Sequence, residues 1–253
     1  MKKWVKVTLI VAGILFIGLL AYLFSVYHSF SKALEAMHQP IREKSEKRIE
    51  DISLDNKDPF TVLLLGVDQR KNDVGRSDSM ILLAVNANNN SIKMISIPRD
   101  TRVEIAGKGT MDKINHAYAF GGVEMSINTV ENFFDVPVDY YIQVNMEGFQ
   151  DIVDAVGGVT VTNDLDFTYG GTHFPKGTIN LNGEDALKYA RMRYDDPRGD
   201  FGRQMRQRQI IEAVIKKGAS LSTLANYGDI FKALGENVRT NLTFEDMVDI
   251  QRN

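Results

Sequence analysis

The chain has 253 residues with 30 Lys or Arg against 33 Asp or Glu, a formal net charge of −3, and 43% hydrophobic residues. It contains no cysteine, which removes disulfides, thiolate metal sites and thiol nucleophiles from its chemistry. Such a balance fits one globular domain of about two hundred residues, held by its core alone.

In chain order, Lys2, Lys3 and Lys6 precede an uncharged apolar run over residues 7–27. At about 1.5 Å per helical residue the run reaches roughly 30 Å, the thickness of a bilayer's hydrocarbon core. A cleaved signal peptide has a shorter apolar region and a small-x-small site, which only Ser31-Lys32-Ala33 resembles, so the run reads as a retained transmembrane anchor. Lysines ahead of the span place residues 1–6 in the cytoplasm and the remainder outside the cell membrane. Residues 28–58 are polar, and Arg42, Glu46 and Glu50 have the spacing of an exposed helix, a stalk lifting the domain off the membrane.

Residues 60–67, FTVLLLGV, form a nearly continuous apolar run that suits a strand buried on both faces. Residues 80–85 and 92–97 flank a polar link, NANNN, of hairpin length, so the early sheet is mixed. Helical spacing follows over 123–134, a strand over 140–144, a helix over 146–156 stopped by Gly157-Gly158, and a strand over 159–162. Residues 183–189 open a helix and 201–217 read as another. The sum is an α/β domain over 59–220, a mixed central β-sheet covered by helices on both faces, followed by a helical segment over 221–253.

Between Tyr189 and Gln209 stand Arg191, Arg193, Arg198, Arg203, Arg206 and Arg208 against Asp195, Asp196 and Asp200. If the segment around Met192 is extended, Arg191 and Arg193 converge on one side. On the following helix Arg203, Arg206, Gln207, Ile210 and Val214 share about a third of the circumference, with Arg208 opposite. The stripe that enters the core thus carries guanidinium groups, which are too costly to bury without an anion. Either the protein's own Asp195, Asp196 and Asp200 supply it, or phosphate groups do, whose oxygens match the guanidinium fork.

Asp68 ends the first strand and Asp78, in GRSDSM, stands just before the second, where α/β folds place their sites. Each alone fits a turn former. Together they suit a magnesium ion that keeps waters and takes further ligands from substrate phosphates, with Arg99 at the end of the third strand and Lys113 as further phosphate contacts. AGKGT lacks the spacing of a nucleotide phosphate loop, and GRSDS is no nucleophile elbow. His116 and His173 lack zinc-ligand spacing. Arg198-Gly199-Asp200 is better explained by the neighbouring arginines than as an adhesion motif.

Taken together, TVLLLGVDQR, GRSDSMILLAVN, MISIPRDTRV, KINHAYAFGG, LNGEDALKYARMR and GDFGRQMRQRQII resemble the LytR-CpsA-Psr family, and among its members the teichoic-acid ligases. The resemblance implies an enzyme that takes a glycopolymer from a polyprenyl-pyrophosphate carrier and joins it to peptidoglycan through a phosphodiester. It implies that Asp68 and Asp78 hold magnesium and that Arg99, Arg191, Arg193 and Arg203 clamp the pyrophosphate. Gln207 and Lys113 then stand in support and Arg76 near the metal, with an apolar pocket for the isoprenoid tail. Asp78 is the first candidate for the base that deprotonates the acceptor hydroxyl, and Asp200 the other. An outward-facing domain on a membrane span argues against nucleic acid as a partner. The family continues beyond its last motif helix, so a chain stopping at FEDMVDIQRN is expected to be truncated. A pyrophosphatase would use the same residues, and a non-catalytic module for lipid-linked polymers would bind without turnover.

Overall fold

The computed structural model describes residues 3–42, 44–68, 75–218 and 227–252. The apolar run becomes α1 (Lys3–Met37), the one helix among the described residues long and apolar enough to cross a membrane. It continues past the expected span. Ala33 and Met37 are buried, and the Phe30 ring lies 5.0 Å from that of Phe231 and 5.3 Å from that of Phe244. The segment after it differs from the exposed helical stalk expected over 28–58. Residues 44–58 contain no helix and are bound into the domain. Glu131 accepts from both terminal nitrogens of Arg42, from Ser45 Oγ and from the amide of Val138, while Leu54 enters the core. A buried carboxylate needs such partners, and here they come from a segment whose composition reads as solvent-exposed.

The central sheet has the order β11-β6-β1-β2-β3, built from β1 (Phe60–Asp68), β2 (Arg76–Asn86), β3 (Ser91–Ile97), β6 (Tyr140–Asn145) and β11 (Val238–Thr240). β1 runs parallel to β6 and antiparallel to β2, and β2 and β3 form the expected hairpin. The sheet is therefore mixed, as expected. Its register shifts between Gly66 and Val67: Gly66 faces Ser79 and Val67 faces Ser77, which leaves Asp78 as the extra residue of a bulge. One face packs Leu63, Leu65, Val67, Met80 and Leu82 against α2 (His116–Phe134). The other carries Phe60, Val62, Ile81 and Leu83, with Leu54 and Ile211 against them.

A second cluster of Val153, Val161, Phe167, Phe174, Tyr189 and Ile210 joins α3 (Met146–Ala155), α4 (Gly183–Arg191) and α5 (Asp200–Gly218) to the hairpins β7–β10 (Val159–Asn163, Gly177–Leu181) and β8–β9 (Phe167–Tyr169, Thr172–Phe174). The sequence reading omits β8, β9 and β10, and also the pair β4 (Arg102–Ile105) and β5 (Thr110–Lys113). Runs of three to five residues carry too few alternations to reveal a period. The expected helical segment after residue 220 contains α6 (Tyr227–Asn237) and α7 (Phe244–Arg252), with β11 between them; its first residues lie outside those described.

Candidate functional site

The site lies where β1, β2 and β3 meet the starts of α2 and α5. The bulge makes it. A bulged residue leaves the ladder and its side chain is re-aimed, and Asp78 turns to Arg99, whose Nη1 stands 3.1 Å from its Oδ1. A Cβ at Gly66 would come within 2.9 Å of Ser79 Cβ, so the close approach of the strands here requires glycine. Asn115, immediately before α2, makes no capping bond; its Nδ2 donates instead to Asp78 Oδ1 over 3.4 Å. Asp100 lies 3.8 Å from Arg99 Nε and 2.5 Å from Lys113 Nζ, and the Lys113 bond holds its carboxyl below the usual range.

From the other side come α4 and α5. The chain leaves α4 at Met192, with φ −57° and ψ 134°, and Met192 is wholly buried. Arg191 and Arg193 thus flank an inward-facing residue, Arg191 exposed and Arg193 half-buried. Asp200 Oδ1 lies 3.9 Å from Arg193 Nε and 2.7 Å from Arg203 Nη2. Gln207 Oε1 accepts from Ser79 Oγ at 2.9 Å, which ties α5 to β2. Burial pushes the pKa of Arg203 down; Asp200 and Asp78 oppose that, and Arg99 and Arg193 add to it. These groups therefore share one electrostatic neighbourhood.

Among the described residues Ser77 Oγ, Asn115 Oδ1 and Arg203 Nε are buried without a hydrogen-bond partner, and Asp200 Oδ1 has only its ion pairs to Arg203 and Arg193. Buried polar groups are ordinarily satisfied, and each orphan costs about 1–3 kcal/mol. All four belong to this end of the sheet. Of these atoms Arg203 Nε, among three guanidinium groups, is the donor an anionic ligand could take, whereas Asn115 Oδ1 is an acceptor that fits a cation or water.

Not every expected residue joins the cluster. Arg76 is exposed and pairs in register with Asp68, which is half-buried at the end of β1. Lys113 reaches the site through Asp100. Arg206 does not face it. Its guanidinium is 0% exposed, bonds Asp196 Oδ2 and donates to the carbonyls of Tyr189 and Met192. For this arginine the protein's own carboxylate is the anion. Arg208, expected on the solvent face, is half-buried with Nη1 donating to Ser96 Oγ on β3 at 2.6 Å, because α5 lies over the sheet. Asn115 and Asp100 went unread: an asparagine before a helix looks like a cap and an aspartate after Pro-Arg like a turn former.

For magnesium the donor set is two carboxylates, Asp68 and Asp78, at the ends of neighbouring strands, with Asn115 Oδ1 unbonded beside Asp78. Among the described residues no group of three or more Asp, Glu, His or Cys gathers as a metal site. Two carboxylates fit an ion that keeps waters and completes its shell from substrate phosphates.

Fold and site together define an α/β domain, carried on an apolar N-terminal helix, that gathers guanidinium groups and carboxylates at one end of a mixed sheet. Comparison with known proteins makes the class specific. The LytR_cpsA_psr family model matches residues 24–253, and the chain belongs to that family. It is 59% identical over 244 residues to the polyisoprenyl-teichoic acid–peptidoglycan teichoic acid transferase TagU of Bacillus cereus, covering 96% of this chain and 80% of that protein. The crystal structure of B. subtilis TagU matches with a TM-score of 0.64 at 57% identity, over 77% of this chain and 81% of that one. The structure of TagT bound to LIIa-WTA matches with a TM-score of 0.72 at 38% identity, over 84% and 80%.

Proposed function

We propose that this chain is a membrane-anchored transferase that moves a teichoic-acid polymer from a polyprenyl-pyrophosphate carrier to a hydroxyl of peptidoglycan, forming a phosphodiester. The membership and the TagU likeness support the reaction. The observation that carries the site assignment is the gathering of Arg99, Arg193 and Arg203 around one place, with Arg203 Nε buried and unbonded there. Transfer at phosphorus asks the protein mainly to position groups and to neutralise charge on phosphate oxygens. Arg99 and Arg203, partly buried, bind the pyrophosphate oxygens from opposite sides, and Arg193 and the exposed Arg191 close over it. Arg203 Nε, left unbonded, is free to donate to an oxygen of the substrate. Ser79 and Gln207 hold α5 against β2 so that the clamp keeps its width. Magnesium at Asp68 and Asp78, when bound, supplies further positive charge on the pyrophosphate. Lys113 and Arg76 stand at the rim and steer the anion inward. Asp78 is the first candidate to take the hydroxyl proton and Asp200 the second. Lysines ahead of α1 favour a cytoplasmic N-terminus with the domain outside.

The test uses the full chain in a membrane with a lipid-linked donor, with and without peptidoglycan oligomers, in magnesium or chelator, following carrier phosphate release and covalent attachment. Acceptor-dependent attachment that chelation abolishes is the expected result. Release without acceptor at the same rate would make the protein a hydrolase. Arg99→Ala and Asp78→Ala are each expected to lower transfer by about 100-fold or more, as loss of a charge-stabilising group does; normal turnover in either folded variant would remove that residue from the site.

A further inference from the structure

Three contacts along α1 set how the domain stands on its anchor. Phe30 packs on Phe231 of α6 and Phe244 of α7, with ring centroids 5.0 and 5.3 Å away. Ala33 lies against Gly235 of α6, and just past α1 His38 bridges in parallel to Thr240 of β11. Beyond its apolar run, α1 therefore climbs in the same direction as α6 and β11. β11 is antiparallel to β6, and β6 is parallel to β1. β1 thus runs back toward the bilayer, and its last residue, Asp68, stands at the end of the sheet that carries the arginine cluster.

Helical rise gives these contacts a depth. Phe30 comes three residues after Tyr27, where the apolar run ends, so it stands about 4.5 Å beyond the hydrocarbon edge, inside the headgroup layer. Tilting the helix only brings it closer. Phe231 and Phe244, packed on it, share that layer, and Phe244 is 49% exposed, an exposure that suits an interface where aromatic rings are accommodated. His38 stands about 16 Å out by the same rise. Its partner Thr240 pairs with Ile142 of β6, and Val67 of β1 pairs with Asn145. Counting from Ile142 to the level of Asp68 gives about 13 Å back toward the membrane, which leaves Asp68 within roughly 10 Å of the hydrocarbon edge.

We propose that the domain rests on the headgroup layer through Phe231 and Phe244 and turns the arginine-bearing end of its sheet toward that layer. The occupant of this surface is the bilayer that α1 crosses, and the inference rests on the anchored transferase proposed above. Charge is excluded from hydrocarbon, so a lipid-borne pyrophosphate lies among the headgroups. Arg99, Arg193 and Arg203 then meet it at the depth where it already stands. The start of β1, about 26 Å away along the strand, faces away from the membrane.

The chain contains no cysteine, so single cysteines can carry an environment-sensitive fluorophore on the full chain in nanodiscs. Phe244→Cys reports the proposed contact, and Phe201→Cys, in the first turn of α5 beside Asp200, reports the arginine-bearing end. Ile92→Cys and Ile49→Cys report the far end: Ile92 pairs with Val85, which pairs with Phe60, and Ile49 follows Arg48, which donates to the carbonyl of Pro59. Phe16→Cys, inside the apolar run, reports insertion. All five side chains are exposed, and thermal melts verify folding; Glu245→Cys, next along α7, replaces Phe244→Cys if that variant unfolds.

Quenching is read with lipids bearing a nitroxide at the headgroup or at mid-chain. The mid-chain probe is expected to quench position 16, and the headgroup probe to quench positions 244 and 201 about threefold more strongly than 49 and 92, as their depths require. Quenching at 92 or 49 that equals or exceeds that at 201 would overturn the orientation, and so would a label at 244 that the headgroup probe does not reach while 16 is quenched. A label at 16 beyond reach of the mid-chain probe would overturn the anchor and the orientation with it. The depths need no turnover, so the expected pattern in a protein that transfers no polymer would keep the orientation and overturn the transferase reading.

Discussion

Arg203 and Arg206 stand three residues apart on one helix and meet opposite fates. Arg206 is sealed against Asp196 and two carbonyls, while Arg203 has a partly matched carboxylate and an unbonded nitrogen. Burial alone would raise the Asp196 pKa, but hydrogen bonds from Arg198 and Arg206 outweigh it and hold the carboxyl far below its usual range. A depressed folded-state pKa contributes stability that is complete above the unfolded value of about 4 and is lost as pH falls through the folded value. The resistance of the wild type to denaturation is therefore expected to fall steadily as pH drops below about 4, and that of Asp196→Asn much less so. Asp196→Ala leaves the Arg206 charge buried and unpaired and should cost about 3–5 kcal/mol in urea unfolding. An Asp196→Ala protein as stable as wild type would mean that the buried pair is not what closes the loop.

At the level of elements, the bulge on β2 and the kink in α2 do the positioning. Gly122 takes φ 65° and ψ −148° inside α2, a conformation that other residues reach only under strain, so the helix restarts there and its first turn, after Asn115, is set separately from its packed half. Gly66→Val would push on Ser79 and through it on Gln207. Overpacking of this kind costs about 1–3 kcal/mol, and transfer should fall more than the loss of folded protein explains; a variant with full specific activity would show that the site tolerates a shifted bulge. Glu131 is the corresponding fixture at the far side. It gathers Arg42, Ser45 and the Val138 amide, so Glu131→Ala should destabilise by several kcal/mol, about the effect of breaking a buried charged network, as read by thermal melts.

Across the whole molecule, α1 is continuous from its apolar stretch into its contact with α6, through Phe30, Ala33 and Gly235, where a Cβ would come within 3.1 Å of Ala33 Cα. The domain is thus held against its own anchor and not swung on a tether. Confinement beside a substrate whose tail lies in the same membrane raises effective concentration. Deleting residues 3–27 should lower transfer from a membrane-borne donor by about tenfold or more while leaving a detergent-solubilised donor nearly unaffected. Equal losses on both donors would assign α1 a structural role only.

The sequence by itself determined the apolar helix, the order of the larger strands and helices, the mixed sheet and the family, because these rest on runs long enough to show a period and on ordered blocks of residues. It also named the arginines and aspartates. It could not sort them. Whether a guanidinium meets an internal carboxylate, as Arg206 does, or is left with an open nitrogen, as Arg203 is, depends on which residues distant in the chain arrive beside it. The same holds for Arg208 on β3 and for a polar strap that Glu131 draws into the domain: burial and pairing are properties of the assembled neighbourhood, and only the tertiary structure decided them.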